Sequence, residues 1–271
     1  VSGVGIALFY PALTGLIPEV VPAARLQAGN ALLGMARNGA QIIGLVASGA
    51  MVALVGGAWS LIVGGGLFAV SAVLTVALPR RAGASGALSP RGLIGDLRDG
   101  WREFVSHEWL WVVVAQWSLL VLFFEAATGV VGPVLANAEL GGAAPWSWIL
   151  AAQAGGMLVG GLLAMRWRPP RPILAAVVAT AISIPLPFLS LGLGAPLIVS
   201  IATMGAAGVA FGIFGVLWAT IMQLRVAPEA LSRVSSYDAL GSLLFQPVGL
   251  LLGGPAAVVL GPRTAMLVCG V

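Results

Sequence analysis

Two ionisable side chains, Arg37 and Glu125, stand deep inside long apolar runs. An ionised group near the centre of a bilayer costs about 2.5 to 3.5 kcal/mol on insertion scales, so each calls for an internal partner, a water-filled cavity, or both. A carboxyl at that depth can load and release a proton as a cavity opens to one side and then the other. That makes Arg37 and Glu125 candidates for lining such a cavity, one of them contacting substrate or a coupling proton, with Glu125 the better candidate for the proton carrier. At 1.5 Å per residue Arg37 lies about 18 Å along its run from Arg25, near the midplane. Asn30, Gly34, Arg37, Gln41, Gly44 and Ser48 recur at helical spacing, with Asn38 at the edge, and form a small or polar stripe that must face an interior. Glu125 shares a face with Ser118, Gly132, and Thr128 or Gly129, while Gln116 lies nearer the basic end of the same run. Asp238, Ser242, Gln246, Gly249 and Gly253 make a similar stripe farther on. Two readings stand open for these groups: they pair internally and hold a bundle together, or they line a translocation pathway. Gln116, Gln153, Gln223 and Gln246 can hydrogen-bond a polar substrate or simply pack, and Phe214 and Trp218 can line an apolar pocket or face lipid.

The elements that position these residues are helices in a membrane. The 271 residues are 59% hydrophobic and 8% charged, with 38 Gly and 17 Pro and a mean hydropathy of +1.05, and a water-soluble domain of that composition could not cover its surface. Uninterrupted apolar runs of 18 or more residues are long enough as helices to cross roughly 30 Å of hydrocarbon, whereas a strand barrel would alternate. The expected spans are 2–21, 26–54, 58–79, 108–136, 145–166, 171–191, 195–224 and 232–255, with a ninth beginning near 263. Residue 1 is Val and apolar runs reach both ends, so the chain is expected to be a piece of a longer protein, without a leader peptide.

The basic residues are 13 arginines and no lysine, and eleven of them fall in alternate loops: at 25, at 80 to 102, at 166 to 171, and at 225 and 233. By the positive-inside rule those loops are cytoplasmic. Arginines flanking apolar spans set topology and touch lipid headgroups, so the formal charge of +4 points to no nucleic-acid partner. The only His, His107, sits at the mouth of a span, and no Ser, His and Asp set or metal-ligand set converges within the spans. An enzyme, a metal site and a cofactor are therefore not expected. Cys269 is the single cysteine, which excludes an internal disulfide. No Gly-Lys-Ser loop is present for ATP coupling.

One connection is long, 80–107. Its second part places Leu93, Leu97, Trp101, Phe104 and Val105 at helical spacing among charged residues, which predicts an amphipathic helix on the membrane surface. Such a linker divides the chain into 1–79, the second half of an N-terminal bundle with three spans, and 108–271, a C-terminal bundle of five spans and the start of a sixth. An internal echo supports two halves of like topology: Arg25, Leu26, Asn30, Ala31 and Leu32 are matched 208 residues later by Arg233, Val234, Asp238, Ala239 and Leu240, each set following a Pro, Pro22 and Pro228. Arg25 with Asn30, and Arg233 with Asp238, are candidates for latching the cytoplasmic side. Ala152, Gly156 and Gly160 predict a close helix contact.

These residues carry a resemblance. Phe9 and Pro11 with Leu16, Ile17, Pro18 and Glu19, then Pro22, Arg25, Leu26, Asn30 and Ala31, the stretch 132–135, and the Gly-rich span 155–171 with its basic end resemble the major facilitator superfamily. Within it the chain is similar to the efflux-type branch, whose members are like enterobactin exporters and drug exporters. The resemblance implies an all-α, two-bundle transporter with the chain covering the family's fourth through eleventh helices and the start of the twelfth. It implies proton-coupled export of a small amphipathic molecule by alternating access, in the inner membrane of a bacterium, by a monomer. Arg166 and Arg168 match the basic part of the family's gating motif, with Met165 where an Asp is the family's residue. Gly44 is followed by Leu45 where antiporters of the superfamily carry Pro. A transporter-like scaffold or receptor without transport activity is the alternative.

Overall fold

The computed structural model describes residues 13–18, 20–76 and 90–271. Most of the expected span 2–21, Glu19, and the linker arginines 80 and 81 lie outside the described residues. Residues 13–18 are helical, and a 3-10 turn at Ala23–Arg25 leads into the first long helix. The order that follows is α1 Leu26–Val55, α2 Gly57–Val76, α3 Pro90–Ser106, α4 Glu108–Leu140, α5 Ala143–Arg166, α6 Pro172–Gly192, α7 Leu197–Arg225, α8 Pro228–Leu260 and α9 Pro262–Gly270. Among the described residues there is no strand.

Helices α2 and α4 to α8 are long and apolar enough to cross a membrane. Helix α1 is long enough at 30 residues, but Gln27, Asn30, Arg37, Asn38 and Gln41 make its first half polar. It is a helix because Ala and long side chains unbranched at Cβ outweigh its glycines, and it stops where Gly56, at φ 81°, takes a left-handed turn that a side chain would strain. The other helices meet prolines where they bend. Helix α4 opens into two wider π-type turns at Ala127–Val131 and Ala136–Leu140, on either side of Gly132–Leu135. Pro133 has no N–H to donate and its ring crowds the preceding turn, which the wider turns relieve. Helix α6 bends at Ile184 and Pro185, and α8 breaks at Phe245 before Pro247.

Helix α7 is the spine of the molecule. It packs on α5, on both halves of α6 and on α1, while both halves of α8 pack on α4. The α5–α7 contact is close because both surfaces lack side chains. A Cβ added at Gly156 or Gly160 would strike the α7 backbone at 205 to 209, and one at Gly208 or Gly212 would strike the α5 backbone at Gln153 or Met157. The small-residue spacing predicted this contact from the α5 side; in hydrocarbon, dispersion between closely approached backbones replaces the hydrophobic effect as the driving force. Gly249 does the same on α8, against Leu122 of α4.

Helix α3 falls where the amphipathic pattern put a helix. One face is docked on the start of α8: Phe104 is buried, Gly100 lies against Arg233 and Tyr237, and the Tyr237 hydroxyl donates to the Leu97 carbonyl at 2.8 Å. Its Leu97, Trp101 and Val105 stay exposed at i, i+4 and i+8. The amphipathic pattern located the helix, but two apolar edges share it, and only one faces outward.

Candidate functional site

A crevice runs between residues 13–18 and α1 on one side and α4, α5, α7 and α8 on the other. It consists of two adjoining cavities of about 420 and 450 Å³ that share Thr14, Arg37, Met157 and Phe211 as walls. The first is lined on the α1 side by Asn30, Gly34, Arg37, Asn38 and Gln41. The second is lined by Trp117 from α4, by Phe214 and Trp218 from α7, and by Asp238 and Ser242 from α8. The helical period of 3.6 puts 30, 34, 37, 38 and 41 on one face of α1, and packing on α5 and α7 turns that face inward.

The aromatic wall is ordered by ring contacts. Trp117 stacks on Phe214 with centroids 4.1 Å apart, and Phe214 on Trp218 at 5.8 Å, while Phe211 meets Trp117 edge-on at 5.2 Å. Offset stacks and edge contacts are the favoured geometries for such rings, and they hold the wall flat. Trp218 Nε1 donates to Asp238 Oδ1 at 3.2 Å, which ties α7 to α8 and places a carboxylate at the edge of the aromatic surface. Asp238 is the one acid lining the crevice among the described residues.

Toward the basic loops the crevice is closed by amides. Asn30, buried, donates to Thr220 Oγ1 at 2.9 Å and to Gln223 Oε1 at 2.7 Å, and Gln223 Nε2 donates back to Asn30 Oδ1 at 3.3 Å. One turn nearer the loop, Gln27 Nε2 donates to the carbonyls of Ala164 and Trp167, at 2.5 and 2.8 Å. Those carbonyls belong to the end of α5 and the residue after it, where helix geometry leaves acceptors without partners. Arg168 reaches the Ala24 carbonyl at 3.4 Å.

The residues singled out in the sequence are thus distributed over several places. Arg37, Asn38 and Gln41 line the crevice with Asn30, and Asp238 lines it from α8. Glu125 and Gln246 are brought together elsewhere: Gln246 Nε2 donates to Glu125 Oε1 at 2.7 Å across the α4–α8 contact, and neither lines the two cavities. Of the two ionisable groups inside apolar runs, Arg37 thus borders the two cavities and Glu125 is paired with Gln246. The polar stripe on α8 splits because the helix breaks at Phe245, so Asp238 and Ser242 face the crevice while Gly249 and Gly253 pack on α4. Gln116 opens on a separate groove beside α6. Arg25 and Arg166 are exposed at the basic end. Asp238 joins Trp218 rather than Arg233, because residues five apart on a helix point about 140° from each other, and the spacings that meet are three and four.

Sequence reasoning did not single out Gln27, Thr220 or Trp117. Gln27 could have been found as the residue one turn before Asn30, and Thr220 as the residue one turn before Gln223 on the same face. Trp117 carries no such signal, since an aromatic in a span faces lipid or core as readily as a cavity.

Helices long enough to span a bilayer, a spine of close glycine contacts and an amphipathic crevice with polar groups at one end define a polytopic helical membrane protein. The Major Facilitator Superfamily model matches residues 1–244, and the chain belongs to that superfamily. A curated relative, the uncharacterized MFS-type transporter YfiS of Bacillus subtilis (strain 168), is 26% identical over 274 residues, covering 97% of this chain. The chain spans 65% of that relative's length. No solved structure matches the chain.

Proposed function

We propose that the chain forms the substrate compartment and one closure of a secondary transporter that exports a small amphipathic molecule by alternating access, coupled to proton entry. The observation that carries this reading is the composition of the crevice: amides on α1 line one cavity, a flat wall of Trp117, Phe214 and Trp218 lines the cavity adjoining it, and the Arg37 guanidinium borders both. A molecule with an apolar ring system and a polar group fits between them. The closure at Asn30, Thr220 and Gln223 is made of uncharged hydrogen bonds, each worth about 0.5 to 1.5 kcal/mol net, so it can open and close without a large barrier.

In this reading 1–79 and 108–271 are the two moving units and 80–107 joins them. The Arg-rich loops are cytoplasmic, the membrane is a bacterial inner membrane, and the protein acts as a monomer. Proton coupling uses the intramembrane carboxylates, Asp238 at the crevice wall and Glu125 at the α4–α8 contact.

The test is proton flux in vesicles holding the full-length protein, with a panel of fluorescent amphipathic dyes as substrates. Dye-dependent alkalinisation or acidification that is weakened by Phe214→Ala supports the reading. Dye binding with no flux in the unmodified protein would establish the alternative, a transporter-like receptor or scaffold.

A further inference from the structure

Between α4 and α6, at the Arg-rich end, lies a groove of about 420 Å³ that is separate from the crevice. Its floor and walls are apolar, with Val112 and Val113 from α4 and Ile173, Leu174 and Val177 from α6, and its mouth carries Arg171 and Arg225. Arg225 stands over the Trp109 ring at 5.7 Å, a cation–π contact that holds one guanidinium at the mouth. Among the described residues neither arginine makes an ion pair, whereas Arg263 is bound to Glu139 at the opposite end of the molecule. No acidic residue lines the groove. Gln116, seven residues and about 10 Å farther along α4 than Trp109, gives the groove a hydrogen-bond donor among its apolar walls.

We infer that this groove is a binding site for an anionic phospholipid of the leaflet next to the Arg-rich loops. The headgroup phosphate sits between Arg171 and Arg225, an ester carbonyl accepts from Gln116, and an acyl chain lies along Val112, Leu174 and Val177. Two cations at the mouth of an apolar slot between spanning helices complement such a lipid in both charge and shape. A zwitterionic lipid fits the slot equally well but carries a positive group toward the two arginines. Free phosphate fits the mouth and leaves the slot empty.

The experiment is native mass spectrometry of the full-length protein in detergent with equal amounts of phosphatidylglycerol and phosphatidylcholine of identical chains. Preferential retention of phosphatidylglycerol is expected. Arg171→Gln with Arg225→Gln is expected to lower that preference about 30-fold, from roughly one factor of five per basic residue. Leu174→Trp, which fills the slot, is expected to lower retention of both lipids, and Arg102→Gln on α3, which removes a charge away from the groove, is expected to change nothing. Equal retention of the two lipids by the unmodified protein, or an unchanged preference in the double variant, overturns the inference. So does full displacement of the lipid by glycerol 3-phosphate at equal concentration, because the site is then one for a free anion.

Discussion

Asn30 and Gln223 meet amide to amide, with Gln223 Oε1 accepting at 2.7 Å and Asn30 Oδ1 accepting at 3.3 Å. They lie 193 residues apart in sequence, on α1 and α7, and both are buried. The pair closes the crevice toward the Arg-rich loops without a formal charge. A charged latch in the same place would be costly to desolvate and sensitive to salt, while an amide pair is neither.

The pair should therefore behave as a unit. Asn30→Ala and Gln223→Ala are each expected to loosen the closure by about 1 to 3 kcal/mol, since each leaves a buried partner unsatisfied. The double variant should lose much less than the sum. Thiol labelling of a cysteine placed at Gly34, on the crevice side of the pair, measures the opening, and additive effects would show that the two amides act separately.

Gly208 allows α7 to lie against the Gln153 carbonyl of α5. Gly208→Leu is expected to prevent assembly, because the obstacle is backbone on both sides and overpacking of about 1 to 3 kcal/mol or more has no flexible side chain to absorb it. Loss of a monodisperse peak in detergent checks this. Gly44→Leu, at a position where an added Cβ meets nothing, is the control expected to assemble.

Asp238 lines the crevice wall, whereas Glu125 is bonded to Gln246 at the α4–α8 contact, so the proposed proton coupling is expected to depend more on Asp238. Asp238→Asn is expected to abolish dye-dependent proton flux, while Trp218→Phe removes the indole donor and is expected to shift the pH at which flux is half-maximal. Glu125→Gln is expected to insert normally and to impair coupling less than Asp238→Asn, because the Glu125 carboxyl is bonded to Gln246 away from the crevice. Flux measured in vesicles across a pH series ranks the three, and full loss with Glu125→Gln alone would return the proton pathway to α4.

Tyr237 holds α3 by a single hydroxyl bond to Leu97 and by ring contacts with Trp101 and Phe104. Tyr237→Phe is expected to weaken docking by about 1 kcal/mol, and Tyr237→Ala by more, through lost aromatic contacts. Faster cleavage within 90–106 by a soluble protease reports the release.

Length, apolar runs and the alternation of arginines between loops determined the class of the protein, because a bilayer admits only structures that satisfy every backbone group internally and a span of this composition can only be a helix. The polar face of α1 was legible for the same reason: one period, 3.6 residues, puts Asn30, Arg37, Asn38 and Gln41 on one side. Which partners those residues meet was decided by tertiary structure alone. The α1–α7 amide pair joins residues 193 apart, Glu125 was drawn to Gln246 by the α4–α8 contact, and the break at Phe245 turned half of the α8 stripe away from the crevice. Periodicity fixes the face of a helix that must be covered; the rotation and bend that select its neighbour come from where glycines let backbones touch and prolines force them apart.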